Sequence, residues 1–196
     1  MIKKIILLLL FILSYTLYSQ DYKIVNDGNN GEPMILGYCP VAAMNDSVFS
    51  NTWTDEYRNY NPDYETLDQL EGKLDSINIK IVFRSTCSDS REQLPRFFKI
   101  LNELNYPINT LTLIGVDHDK KALAKETDGL DIELVPTFIF YKNGIEIGRI
   151  VEMPTVSLEQ DLLSILNWLS RVYIKLKSPG VSGLLVNFQF VLIPVS

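Results

Sequence analysis

Thr86-Cys87-Ser88-Asp89-Ser90-Arg91 follows a short apolar run, Ile79-Lys80-Ile81-Val82-Phe83, and precedes an amphipathic one. The first run is short and β-branched, which predicts a strand. The second carries Leu94, Phe97, Phe98, Leu101 and Leu104 at helical spacing, with Pro95 in the first turns, where a proline costs one hydrogen bond and bends the helix. Cys87 is therefore expected at a strand-to-helix junction. Free backbone N–H groups and the helix dipole favour an anion there, which would stabilise a thiolate. Arg84 and Arg91 either add to this effect or are solvated surface charges, and Asp89 beside them opposes it.

Toward the N-terminus, Tyr64, Leu67, Leu70, Leu74 and Ile77 follow a helical stripe despite Gly72, after a break at Asn61-Pro62-Asp63. Phe49, Trp53, Tyr57 and Tyr60 mark another helix, with Asp46 or Ser47 as its cap; an aromatic stripe at that spacing reads as core packing against the main domain. Met34-Ile35-Leu36 reads as an edge strand running up to Cys39, and the polar stretch from Gln20 to Glu32 as a flexible lead-in.

Toward the C-terminus, a strand is expected from Thr110 to Val116, then a polar loop in which His118 is solvated, then a helix around Ala122-Leu123-Ala124 ended by Gly129. Val135-Pro136 leads into Thr137-Phe138-Ile139-Phe140-Tyr141. Asn143-Gly144 then separates this run from Ile145–Val151, a strong signal for an antiparallel hairpin. Ser157 and Gln160 form a capping box for a closing helix whose apolar face is Leu158, Leu162, Ile165, Leu166 and Leu169. The last stretch, 172–196, is an apolar tail containing Pro194. It is expected as an extra hairpin on a sheet edge or on the aromatic N-terminal helix, and no function is read from it.

The chain begins with Lys3-Lys4 and an apolar run, Ile5 to Leu13, too short to span a bilayer, and reaches a small residue at Ser19. This predicts a signal peptide over 1–19, export to the periplasm or the exterior, and no stable membrane span after cleavage. Losing Lys3 and Lys4 takes the net charge from −6 to about −8, which argues against nucleic acid as a partner. Two cysteines are too few for a disulfide scaffold in about 175 remaining residues, so Cys39 and Cys87 either pair or one of them reacts.

The cysteine at its junction, Pro95 eight positions later and Val135-Pro136-Thr137 opening a hairpin strand together resemble the thioredoxin family over roughly Tyr64 to Leu169. Asp117, Ala122-Leu123-Ala124-Lys125 and Tyr141-Lys142-Asn143-Gly144 also sit where that family keeps similar residues. Thr86-Cys87-Ser88-Asp89-Ser90, Leu94-Pro95-Arg96-Phe97 and Gly148-Arg149-Ile150-Val151-Glu152 are similar to a group of exported bacterial thioredoxin-like proteins. The resemblance implies an α/β thioredoxin fold: a central mixed sheet flanked by helices, with a cis-proline loop before the C-terminal hairpin and closing helix. A helical N-terminal extension over 20–63 would precede a thioredoxin-like domain over 64–171.

The resemblance also implies a site: Cys87 as nucleophile, Ser90 in the position of the family's second thiol, and Pro136 as its cis-proline. Thr86, Ser88, Asp89, Val135 and Thr137 would lie against an extended substrate. The departures matter as much. A serine hydroxyl cannot resolve a mixed disulfide, and the family's buried carboxylate six positions before the cysteine is Ile81 here. Both departures argue on chemical grounds against a standard two-thiol cycle. Three roles stay open: monothiol exchange, isomerase- or reductase-like, on a protein or small-molecule thiol or disulfide; a pair in which Cys39 resolves or locks Cys87; and an inert cysteine in a non-catalytic binding or assembly module. Gln93 stands where a phosphatase loop needs arginine, and Arg84 where a peroxiredoxin needs threonine. One histidine and two separated cysteines make no zinc site, and neither metal nor cofactor is expected.

Overall fold

The computed structural model describes residues 22–45 and 48–177. The expected signal segment, both capping candidates for the aromatic helix, Asp46 and Ser47, and residues 178–196 of the tail lie outside the described residues. Six strands, β1 (Tyr22–Asn26), β2 (Pro33–Cys39), β3 (Ile77–Phe83), β4 (Thr112–Gly115), β5 (Thr137–Lys142) and β6 (Ile145–Val151), form one sheet in the order β1-β2-β4-β3-β5-β6. Among the described residues four α-helices accompany it: α1 (Ser50–Asn59), α2 (Tyr64–Leu70), α3 (Ser88–Glu103) and α4 (Leu158–Lys177).

β3 and β4 are parallel and joined through α3, while β5 runs antiparallel to β3 and β6 antiparallel to β5, with α4 following. A parallel β-α-β unit and an antiparallel β-β-α unit sharing one mixed sheet constitute the thioredoxin fold. The hairpin turn at Asn143-Gly144 has positive φ at both residues, 52° and 77°, as a type I′ turn requires.

Strand alternation divides the apolar residues between two faces. Ile79, Ile81 and Phe83 point to one face with Leu113, Phe138 and Phe140; α3 covers it with Leu94, Phe97 and Leu101, and α4 with Leu158, Leu162 and Leu166. Phe97 packs against Phe138 with ring centroids 4.6 Å apart and planes tilted by 49°. α1 packs on α3, placing Trp53 edge-on to Phe98 at 5.0 Å. Each fully buried Leu or Phe contributes roughly 1.5–3 kcal/mol of transfer free energy. The other face holds a smaller cluster of Val82, Ile114, Val116, Val135 and Cys87, against which Ala122, Leu130 and Ile132 pack.

Several elements differ from expectation. The lead-in from Gln20 to Glu32 contains β1, which pairs with β2 from Tyr22↔Gly37 to Asn26↔Pro33. β2 is consequently an inner strand, joined to β4 on its other side. Backbone pairing needs no apolar stripe, so the mostly exposed β1 gave little sequence signal. α1 has Phe49 at its N-cap position, with no side-chain capping bond. α2 ends at Leu70, because Gly72 (φ 69°) and Ser76 (φ 65°) turn the chain so that Ile77 can open β3. The strand expected from Thr110 starts at Thr112, after a 3-10 turn over Ile108–Thr110.

No helix forms at 122–124: residues 117–136 run through turns and bends. Ahead of Val135 only Ala122, Leu130 and Ile132 pack against the sheet, so a helix there would lack the apolar face that pays for its nucleation. The capping box is half made, since the Gln160 N–H donates to Ser157 Oγ at 3.2 Å while the Gln160 amide reaches Asp63 Oδ2 at 3.5 Å. α4 continues to Lys177, so the first six residues assigned to the tail are helical.

Candidate functional site

Cys87 occupies the N-cap position of α3, with extended backbone (φ −86°, ψ 132°). Its N–H donates to the Arg84 carbonyl and its own carbonyl accepts the Arg91 N–H, both at 3.0 Å, so the loop turns tightly from β3 into the helix. Its side chain is packed with Val82, Ile114, Val116 and Val135, and the residue is 9 % exposed. Sγ lies 3.6 Å from the Val135 carbonyl and 3.7 Å from Asp89 Oδ2. A thiol has one proton, so these two acceptors are alternatives.

The Val135–Pro136 peptide bond is cis. The loop carrying it is tied down on both sides: the Thr137 hydroxyl donates to the Leu134 carbonyl at 2.6 Å, and the Glu152 N–H donates to the Pro136 carbonyl at 2.7 Å. Leu134, Val151 and Met153, on this loop and the neighbouring strand end, are exposed large apolar residues. Gln93 of α3 is buried and donates to Met153 Sδ at 3.3 Å, linking that edge to the helix headed by Cys87.

Cys87, Asp89 and Val135 are thus brought into contact. Ser88 is exposed at the first turn of α3. Ser90 is fully buried, and its hydroxyl accepts the Arg84 N–H at 3.3 Å, closing the loop beneath Cys87. Cys39 is not brought to Cys87. It pairs in register with Leu113 and packs in the main core, whereas Cys87 sits with Ile114 on the opposite face. Both thiols are free, and burial pushes the Cys39 thiol up to about 12. Arg91 is committed elsewhere: its Nε donates to the Ser85 carbonyl at 2.7 Å and its Nη2 pairs with Glu32 at 3.0 Å. Arg84 Nε is buried without a hydrogen-bond partner.

A residue outside the expected site joins it. Asp27, in the β1–β2 turn and 2 % exposed, accepts the Asn29 N–H at 2.9 Å and the Thr86 hydroxyl at 2.8 Å. His118 Nε2 lies 3.0 and 2.9 Å from the two oxygens of the same carboxylate. His118, expected to be solvated, is therefore paired, although 42 % of its side chain remains exposed. The Asn29 N–H first, then the Thr86 hydroxyl and His118, outweigh desolvation and hold the Asp27 carboxyl down at about 2. The signal that could have revealed Asp27 is Asp27-Gly28-Asn29 between two apolar runs, an Asx-turn sequence suited to a hairpin.

Among the described residues no group of three or more His, Cys, Asp or Glu side chains could hold a metal ion, and no helix is long and apolar enough to cross a membrane. The fold and this loop define the class: a thioredoxin-fold domain with a single thiol at the head of α3. No protein-family model matches the chain, and no curated protein matches it. Among solved structures it is similar to thioredoxin O2 from Arabidopsis thaliana in the oxidized state, at 22% identity over 59% of this chain and 86% of that one, with a TM-score of 0.31. The fold assignment rests on strand order and direction.

Proposed function

We propose that this protein carries out thiol–disulfide exchange through Cys87 acting as a monothiol, in an exported setting suggested by the composition of residues 1–19. The observation that carries the reading is the meeting of Cys87 Sγ, at the N-cap of α3, with the carbonyl that precedes cis-Pro136. The exposed Leu134, Val151 and Met153 offer an apolar edge for an extended protein or peptide substrate.

In the step proposed, the Cys87 thiolate attacks one sulfur of a substrate disulfide, a new S–S bond forms, and the old one breaks. The Cys87 sulfur is oxidised to the disulfide level, and the departing sulfur is reduced and takes a proton from solvent. Ser90 cannot resolve the adduct and Cys39 lies on the far face of the sheet, so release falls to a low-molecular-weight thiol or to a second thiol of the substrate.

Burial of Cys87 to 9 % exposure favours a second reading, a binding or assembly module that keeps the fold without the chemistry. Incubation with a peptide disulfide separates the two. One mixed disulfide per chain, on Cys87 and absent in Cys87→Ser, is the expected result by mass spectrometry. No adduct on the folded wild-type protein, or adducts that persist in Cys87→Ser, would overturn the exchange reading.

A further inference from the structure

Three contacts join the N-terminal hairpin to the segment that carries Cys87. The Thr86 hydroxyl donates to Asp27 Oδ2 at 2.8 Å, and the Ile35 N–H donates to Ser85 Oγ at 3.0 Å. Glu32 pairs with Arg91, which itself donates to the Ser85 carbonyl. Asp27 also takes His118, from the loop after β4, so one buried carboxylate ties three separate segments together. The β-α-β and β-β-α units of the fold supply none of these partners: Asp27, Glu32 and Ile35 all belong to β1, β2 and the turn between them.

We propose that Asp27 is a positioning residue for Cys87, its buried carboxylate fixing the Thr86–Cys87 peptide from the β1–β2 turn, so that this hairpin is part of the working site. The inference deepens the exchange reading and rests on it. Both reactions are in-line displacements, but a peptide disulfide seated beside the loop fixes the line along which the sulfur must attack, whereas a small free alkylating agent can orient itself to the sulfur, so the orientation of Cys87 matters more for the disulfide. The carboxylate offers acceptors that Thr86 Oγ1 and the Asn29 N–H reach without strain, and its burial removes the competition of water for those bonds. Thr86 is the direct link, one residue from the sulfur.

The test compares Asp27→Ala, Thr86→Val and Thr86→Ser with the wild-type chain, each shown by circular dichroism and urea titration to be folded. Two rates are read at the high-pH plateau, where ionisation no longer limits reaction: that of Cys87 with a peptide disulfide and that with iodoacetamide. Releasing the loop lowers the disulfide rate by about tenfold or more in Asp27→Ala and Thr86→Val, and raises the iodoacetamide rate, because a sheltered thiol becomes accessible. Thr86→Ser, which keeps the hydroxyl, restores both. A loss of packing without a positioning role would not move the two rates in opposite directions. Alkylation unchanged in the folded variants overturns the proposal, as does a disulfide rate within about twofold of a reactive wild type. A wild type that forms no mixed disulfide, while the variants alkylate faster, overturns the exchange reading and leaves the clamp standing.

Discussion

Asp27 shows how one side chain can acquire a role that its neighbours in sequence do not announce. Its carboxylate is buried yet held at about 2, against 3.8 for an unperturbed group, because Asn29, Thr86 and His118 all favour the charged form. The folded pKa lies below the unfolded one, so its contribution to stability is complete above the unfolded value and is lost as pH falls toward the folded value. In urea titrations the wild-type midpoint should therefore fall between pH 4 and pH 2 by more than that of Asp27→Asn. The variant should start lower at neutral pH and show a flatter profile over that window. Parallel profiles would show that the carboxylate is not linked to folding. Ser90 is another case. Its sequence position invites a catalytic comparison, but its hydroxyl accepts the Arg84 N–H in the interior, beneath the loop.

The β1–β2 hairpin joins the sheet at β4, and the junction is made by glycines: Gly37 pairs with Gly115. A Cβ at Gly115 would collide with the backbone carbonyl of Ile35, which cannot swing away as the end of a long side chain would. Gly115→Ala should therefore destabilise the fold by about 1–3 kcal/mol in urea unfolding, the usual cost of overpacking, and a neutral result would contradict the close approach of β2 to β4. The same junction lets the turn reach Thr86, so the element that extends the sheet also reaches the loop that carries Cys87. The segment at 117–136 is the opposite case. Its short apolar set suggested a helix, but the residues that reach the sheet are too few and too widely spaced to support one.

At the scale of the molecule, the two faces of the sheet separate the two cysteines. Cys39 lies under the helices with Leu113, and Cys87 lies with Ile114 and Val135. The protein prepared without reductant should show two free thiols by mass spectrometry. Iodoacetamide should label Cys87 in the native state and Cys39 only after denaturation, because burial holds the Cys39 thiol near 12. A Cys39–Cys87 disulfide in the native protein would refute this arrangement. The local patterns determined a good deal by themselves: the β3-loop-α3 junction, the Asn143-Gly144 hairpin and the closing helix all follow from short-range periodicity and turn chemistry, which act within a few residues. Chain order alone also put Cys87 at the head of its helix. Only the tertiary structure decided that Arg91 serves Ser85 and Glu32 rather than the sulfur, that His118 is paired, and that Asp27 lies 59 residues upstream of the threonine it holds. The bonds to Asp27 join side chains far apart in sequence, and what selects them is the high cost of leaving its buried carboxylate without donors, a condition that exists only once the sheet has closed over it.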